Sequence, residues 1–245
     1  MSTVRKIYSL ILPSMIQWSA PCPKSEYAEG MHPFSFISGF YFQPIVFDYN
    51  NDAKPDILVT SDFGVNVLFQ NIGNFTFTNK TTEAGLDHAG SGMGAALGDA
   101  NGDARLDIVV TNLFDDYLFE NRGDGTFSLS KEQLGTLGIG WGVAFLDYDM
   151  DGWDDIVITN GDVMRTRDIP VAALGRSLFR SDNIYRNEGG EFSDRTWIDM
   201  CPEIGSGHGL AVSDVDNNGS PDFFVGNSDV TSRESDLNIL YVNQL

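Results

Sequence analysis

Positive charge is scarce in this chain: 15 lysines and arginines stand against 35 aspartates and glutamates, a net charge of −20 over 245 residues. That imbalance argues against a nucleic-acid backbone or an anionic membrane surface as partner and makes small cations the natural counter-charge. Histidine is nearly absent, with only His32, His88 and His208 able to serve as a neutral-pH acid or base. Cysteine is limited to Cys22 and Cys201, whose pairing the sequence leaves open. There is no G-x-S-x-G, no H-E-x-x-H and no phosphate loop, so three common catalytic signatures are missing. Helical periodicity is scarce as well, whereas glycine (26), phenylalanine (17) and tyrosine (8) are plentiful. Many short strands joined by tight turns, an all-β protein, are what that composition predicts.

Residues 1–30 read as an N-terminal arm or a degraded signal-like segment. Arg5 and Lys6 precede the apolar stretch IYSLILPSMIQW, but Pro13 and Gln17 interrupt it, and it is too short for a transmembrane helix.

From residue 31 onward the chain is organised by a repeat. Four acidic stretches, DYNNDAKPD (48–56), DANGDARLD (99–107), DYDMDGWDD (147–155) and DVDNNGSPD (214–222), share Asp or Asn at positions 1, 3, 5 and 9. Each runs into a strand-like segment: ILVTS, IVVTN, IVITN or FFVGN. Three are preceded by small-residue strands, GMGAALGD, GWGVAFLD and GHGLAVSD; the first has YFQPIVFD instead. All four are followed by an aromatic strand ending in asparagine: LFQN (68–71), LFEN (118–121), IYRN (184–187) and LYVN (240–243). The loop starts are 51, 48 and 67 residues apart, and the longest interval holds an insertion at about 161–183. A period near 50 with four short strands per unit predicts the blades of a β-propeller. Four repeats are visible. The segment PFSFIS (33–38) is a candidate fourth strand for the last blade; part of a larger ring, or assembly with another chain, is the competing account.

Oxygen donors at alternate loop positions suit a hard cation with six or seven ligands, Ca²⁺ rather than a soft metal. The expected ligands are Asp48, Asn50, Asp52 and Asp56; Asp99, Asn101, Asp103 and Asp107; Asp147, Asp149, Asp151 and Asp155; and Asp214, Asp216, Asn218 and Asp222. Position 12 holds Val59, Val110, Ile158 and Val225, where an EF-hand requires glutamate, so that motif is excluded. Up to four Ca²⁺ would offset eight of the twenty net negative charges. The third loop has four acids and Gly152 at position 6, where a positive φ is expected, while the first two have Ala53 and Ala104 there. The third is therefore expected to bind tightest, with Asp154 facing solvent.

These motifs together resemble the FG-GAP and VCBS repeats of the integrin α-chain type, most closely the branch found in cartilage acidic proteins. The resemblance covers about residues 39–245. It implies a calcium-bearing, usually extracellular β-propeller with the ion held between the first two strands of a blade.

Three kinds of function are compatible with this reading. The favoured one is a non-catalytic binding or adhesion platform for a protein or glycan, with Ca²⁺ stiffening the loops. A structural subunit that self-associates or joins a larger assembly is the first alternative. The second is a lyase or cyclase working in the propeller hub, where Met93, Trp141 and His208 occupy the same repeat position and either line a pocket or plug the axis. His208 is its one catalytic candidate.

Overall fold

A computed structural model describes residues 40–132, 134–161, 181–200, 205–227 and 237–245. The chain divides into two units, Met1–Phe36 and Ile37–Leu245, and every element below belongs to the second. The arm at 1–30, His32, PFSFIS, both cysteines and most of the insertion lie outside the described residues. No described helix is long and apolar enough to cross a membrane.

The protein is all-β, and its sheets follow the repeat. Blade 1 comprises β1 (Phe40–Phe47), β2 (Asp56–Asp62), β4 (Val67–Gly73) and β5 (Thr76–Asn79), paired antiparallel in that order. The divergent segment YFQPIVFD thus makes a complete blade. The short strand β3 (Gly64–Val65) pairs with β6 (Ala89–Gly90). Blade 2 comprises β7 (Ala95–Gly98), β8 (Asp107–Val110), β9 (Leu113–Asn121) and β10 (Phe127–Leu129). Blade 3 has β11 (Leu134–Leu146), β12 (Asp155–Asn160), β13 (Asn183–Asn187) and β14 (Phe192–Asp194), followed by a helical turn, Thr196–Met200. Blade 4 shows β15 (Gly207–Ser213), β16 (Asp222–Asn227) and β17 (Ile239–Tyr241) among the described residues.

One feature departs from separate blades. The first half of β11 pairs with β9 and its second half with β12, so blades 2 and 3 form one continuous eight-stranded sheet.

Because successive side chains of a strand point to opposite faces, the unbroken apolar runs of β8 and β12 bury both faces. Leu58 of blade 1 meets Ile108 and Val110 of blade 2. Val109, on the opposite face, meets Ile156 and Ile158 of blade 3. Val157 in turn meets Phe223 and Val225 of blade 4. Each fully buried side chain of this kind contributes about 1.5–3 kcal/mol.

Two of the first-strand glycines, Gly94 and Gly142, are required by close approach at the hub. A Cβ on Gly94 would strike the carbonyl oxygen of Trp141, and one on Gly142 would lie 2.8 Å from Leu210 Cβ. The threonines of the second strands tie the hub together. Thr60 Oγ1 accepts from Gln43 N–H in its own blade and donates to Met93 O in the next; Thr111 Oγ1 likewise accepts from Gly94 N–H and donates to Trp141 O.

A second repeated acceptor sits just before the third strand or, in blade 2, within it. Asn66, Asp116, Asp182 and Asn238 each accept a backbone N–H, from Ser61, Asn112, Asn160 and Asn227. Burial pushes Asp116 up to about 8 and Asp182 up to about 7. An unfolded aspartate ionises near 3.8, so the folded state holds the extra proton. The stability this brings is fully present below that value and is lost as pH rises through about 8. Two repeats already use asparagine here, so Asp116→Asn is expected to raise the unfolding midpoint at pH 9 by several degrees, with a smaller gain at pH 5. Thermal melts across that range check it; a gain that does not grow with pH would be evidence against a buried ionisation.

Candidate functional site

All four acidic loops adopt one geometry. The carboxylate at position 1 (Asp48, Asp99, Asp147, Asp214) accepts the N–H groups of positions 5 and 6 at 2.7–3.1 Å. The side-chain oxygen at position 5 accepts the N–H of position 7. The turn takes positive φ at position 6, 62° at Ala53 and Ala104, 93° at Gly152, with Gly219 the fourth, as the sequence predicted. Position 4 also takes it (Asn51, Gly102, Met150, Asn217), which the sequence reading had missed.

Position 9 is the structural keystone. Asp56, Asp107, Asp155 and Asp222 are completely buried. One oxygen of each accepts the N–H of position 2; the other accepts the N–H of the asparagine ending the third strand, all at 2.7–3.1 Å. Burial pushes Asp107 up to about 6 and Asp155 to about 7. The recurring asparagine therefore has a role that its fourfold presence signalled but did not explain. In addition, Asn187 Nδ2 donates to Ala100 O and Asn243 Nδ2 to Tyr148 O, stitching blades 3 and 4 each to the loop of the blade before. Asp154 does not merely face solvent: its carboxylate accepts the Asp99 N–H of the neighbouring blade at 3.1 Å.

Beyond these backbone contacts, the loops bring several side-chain oxygens close together. One oxygen from each of Asp147, Asp149 and Asp151 lies within 4.8 Å of the others, and the same holds for Asp214, Asp216 and Asp222. Ligands at 2.3–2.6 Å around one Ca²⁺ can be no farther apart than about 5 Å, so both groups fit such an ion. Asp149 Oδ1 is buried with no hydrogen-bond partner.

The loops differ in the positive charge already beside them. Lys54 Nζ lies 2.9 Å from Asp52 in loop 1, and Arg105 pairs with Asp103 in loop 2. In loop 3, Arg186 of β13 lies 2.7 Å from Asp149 and 3.1 Å from Asp151. Loop 4 shows no such ion pair among the described residues, since Val242 occupies the place of Arg186 and Ser220 that of Lys54 and Arg105.

At the hub, Trp141 and His208 come together with ring centroids 4.4 Å apart, and Phe42 meets Trp141 edge-on at 5.7 Å. Phe42 stands six residues before Asp48, as Met93, Trp141 and His208 stand before Asp99, Asp147 and Asp214. It was overlooked because its strand lacks the glycine pattern. Phe42, Trp141 and His208 each sit at a β-bulge, where one extra residue re-aims a side chain. His208 Nδ1 lies 2.9 Å from Ser206 O; a carbonyl only accepts, so Nδ1 carries the proton and the ring is fixed.

A separate cleft of about 220 Å³ opens beside loop 3, between blades 3 and 4. Tyr148, Asp199, Phe223, Tyr241 and Asn243 are among its lining residues. Tyr148 Oη donates to Asp199 at 2.7 Å, Arg195 holds the same carboxylate at 2.9 Å, and Phe223 stacks on Tyr241 with centroids 4.6 Å apart.

Four-stranded units, each headed by an aspartate-rich turn and packed face to face around small-residue inner strands, define a β-propeller repeat protein. The repeats are similar to those of the FG-GAP family: the FG-GAP-like repeat profile matches residues 48–110 and 114–158. Cartilage acidic protein 1 of Xenopus tropicalis is 37% identical over 84 residues, 34% of this chain and 12% of that protein. Integrin alpha-7 of Rattus norvegicus is 32% identical over 101 residues, 40% of this chain and 8% of that protein. The chain thus spans about a tenth of the length of these relatives. A solved structure of an Agrocybe aegerita lectin, described as recognising non-reducing terminal N-acetylglucosamine, overlaps 77% of this chain and 48% of its own, with a TM-score of 0.41 and 20% identity.

Proposed function

We propose that this chain is a non-catalytic, extracellular binding platform whose acidic loops take Ca²⁺ and whose ligand is a protein or glycan seated between blades 3 and 4. The proposed metal ligands are the sixteen loop residues named from the sequence. Ca²⁺ there would supply the positive charge that lets crowded carboxylates stay ionised at neutral pH, and Asp214, Asp216, Asn218 and Asp222 would take it without displacing a resident lysine or arginine.

The observation that carries the reading is the cleft beside loop 3. Its wall includes Tyr148, position 2 of that loop, so ordering the loop orders the cleft. Stacked aromatic rings beside a fixed carboxylate and an amide are the mixture that holds a sugar ring or an exposed side chain: apolar area for its faces and a few oriented polar groups for its hydroxyls. Such a site favours binding over turnover, because Asp199 is already committed to Tyr148 and Arg195 and burial pushes Tyr148 upward, away from any proton-transfer role near neutrality. Extracellular calcium sites typically bind at about 10⁻⁴–10⁻³ M, which fits a platform filled outside cells.

The test is binding of the full chain to glycan and extracellular-matrix protein arrays in Ca²⁺ and in EDTA. A hit that needs Ca²⁺ and is lost in Asp199→Ala, with unchanged calcium-dependent melting, is the expected result. Binding indifferent to both would remove the cleft from the function.

A further inference from the structure

On the calcium reading proposed above, we infer that loops 2 and 3 form one coupled unit, so that an ion held in either loop tightens the other. Two residues of loop 3, Trp153 and Asp154, make the tie by reaching across the blade boundary onto loop 2.

Trp153 lays its ring on the turn of loop 2. A Cβ on Gly102 would lie 2.5 Å from Trp153 Cζ3 and 2.7 Å from Cη2, so no side chain fits beneath the ring. Backbone conformation is not what demands glycine there. Gly102 takes a φ of 71°, but Asn51, Met150 and Asn217 take 60°, 62° and 59° at the same place in the other loops. Loop 3 alone has an aromatic at position 7, loop 2 alone has glycine at position 4, and the two meet. Asp154 adds a polar hold. Its Oδ2 accepts the N–H of Asp99, whose own carboxylate accepts the N–H groups of Asp103 and Ala104 and so shapes loop 2. On the loop 3 side, Asp151 Oδ1 accepts the Trp153 N–H, and Asp155, next to Asp154, clamps the end of β13. Asn187 closes the connection by donating to both Asp154 O and Ala100 O.

The other loops are not built to reach their neighbours in this way. Positions 7 and 8 are Lys54 and Pro55 in loop 1, Arg105 and Leu106 in loop 2, and Ser220 and Pro221 in loop 4. Proline and leucine carry no side-chain acceptor. Arg105 turns back to Asp103 and Asn121 O of its own blade, and Ser220 Oγ donates to Leu245 O. Between loops 4 and 3 the asparagine stitch from Asn243 is kept without a counterpart of Trp153 or Asp154.

The physical basis is shared ordering. An ion that fixes Asp151 also fixes Trp153 and Asp154, and these restrict the Asp99 peptide and the Gly102 turn before loop 2 takes its own ion. Freedom lost once is not lost twice, and linkage makes the effect equal in both directions.

Trp153 stands between the two loops, so its fluorescence during a Ca²⁺ titration of the full chain follows both, with Trp153→Phe identifying its share of the signal. The wild type should give a single transition steeper than one-site binding. Asp154→Ala should stay folded by circular dichroism, but its transition should flatten or split in two and its midpoint should move to about 5–20-fold higher Ca²⁺. Asp154→Asn keeps an oxygen acceptor and should behave as the wild type, which separates the hydrogen bond from the charge. One-site steepness in the wild type overturns the coupling, as does a curve that Asp154→Ala leaves unchanged; in both cases calcium still binds and the reading of the loops survives. Isothermal titration that detects no bound Ca²⁺ overturns the calcium reading itself, and the coupling with it.

Discussion

Ca²⁺ at about 10 mM is expected to raise the unfolding midpoint by roughly 10–20 °C over the same protein in excess EDTA. At ligand a hundredfold above Kd each independent site adds about 2.7 kcal/mol, and for a unit of this size 1 kcal/mol moves the midpoint by about 2–4 °C. Two filled loops therefore suffice for the predicted shift. Loop 4 should fill first, because its three clustered carboxylates face no resident cation. Loop 3 has more acids, but Ca²⁺ must displace Arg186 from Asp149 and Asp151. The ordering drawn from acid count alone, with the third loop tightest, is thus set against a competitor contributed by a distant strand. Arg186→Gln separates the two accounts: it should enlarge the calcium-induced shift by several degrees and increase the metal content measured by isothermal titration. If the shift is the same in the variant, Arg186 does not compete. If neither protein responds to Ca²⁺, the loops do not use calcium at all.

Asp155→Ala should lower the midpoint by roughly 6–20 °C even in EDTA, where metal binding cannot contribute. Asp155 is fully buried, and its two oxygens accept the N–H groups of Tyr148 and Asn187. Alanine leaves both donors buried without an acceptor, at about 1–3 kcal/mol apiece, and opens a small void. Asp155→Asn keeps one acceptor oxygen and should lose about half as much. The pair of melts distinguishes a clamp from a simple metal ligand: a ligand-only role predicts no change in EDTA, and a variant melting with the wild type there would show that the backbone contacts carry no stability.

The hydrogen-bond clamp and the cation cage thus share one nine-residue loop, which explains its economy of residue types. Position 9 must be Asp because only a short side chain with two acceptor oxygens reaches both position 2 and the third strand. Positions 3 and 5 need oxygen but tolerate Asn, as Asn50, Asn101 and Asn218 show, whereas position 1 is Asp in all four loops.

The sequence by itself determined the periodic features of this protein. Aspartates at fixed loop positions, glycines in the inner strands and a terminal asparagine in each third strand recur with one spacing, and the unit they specify is local: a turn, two strands and a clamp between them. Tertiary structure decided whatever joins residues far apart in the chain. Arg186 reaches loop 3 across 35 residues, Asp154 caps Asp99 of the preceding blade, and Phe42 joins the hub without the glycine pattern that marks its counterparts. The sharpest case is Phe224: in sequence it is the counterpart of Leu58, Val109 and Val157, yet it alone of the four is left exposed. A repeat fixes which side chains a blade presents, but only the arrangement of the blades fixes what stands opposite, because burial is a property of the neighbour.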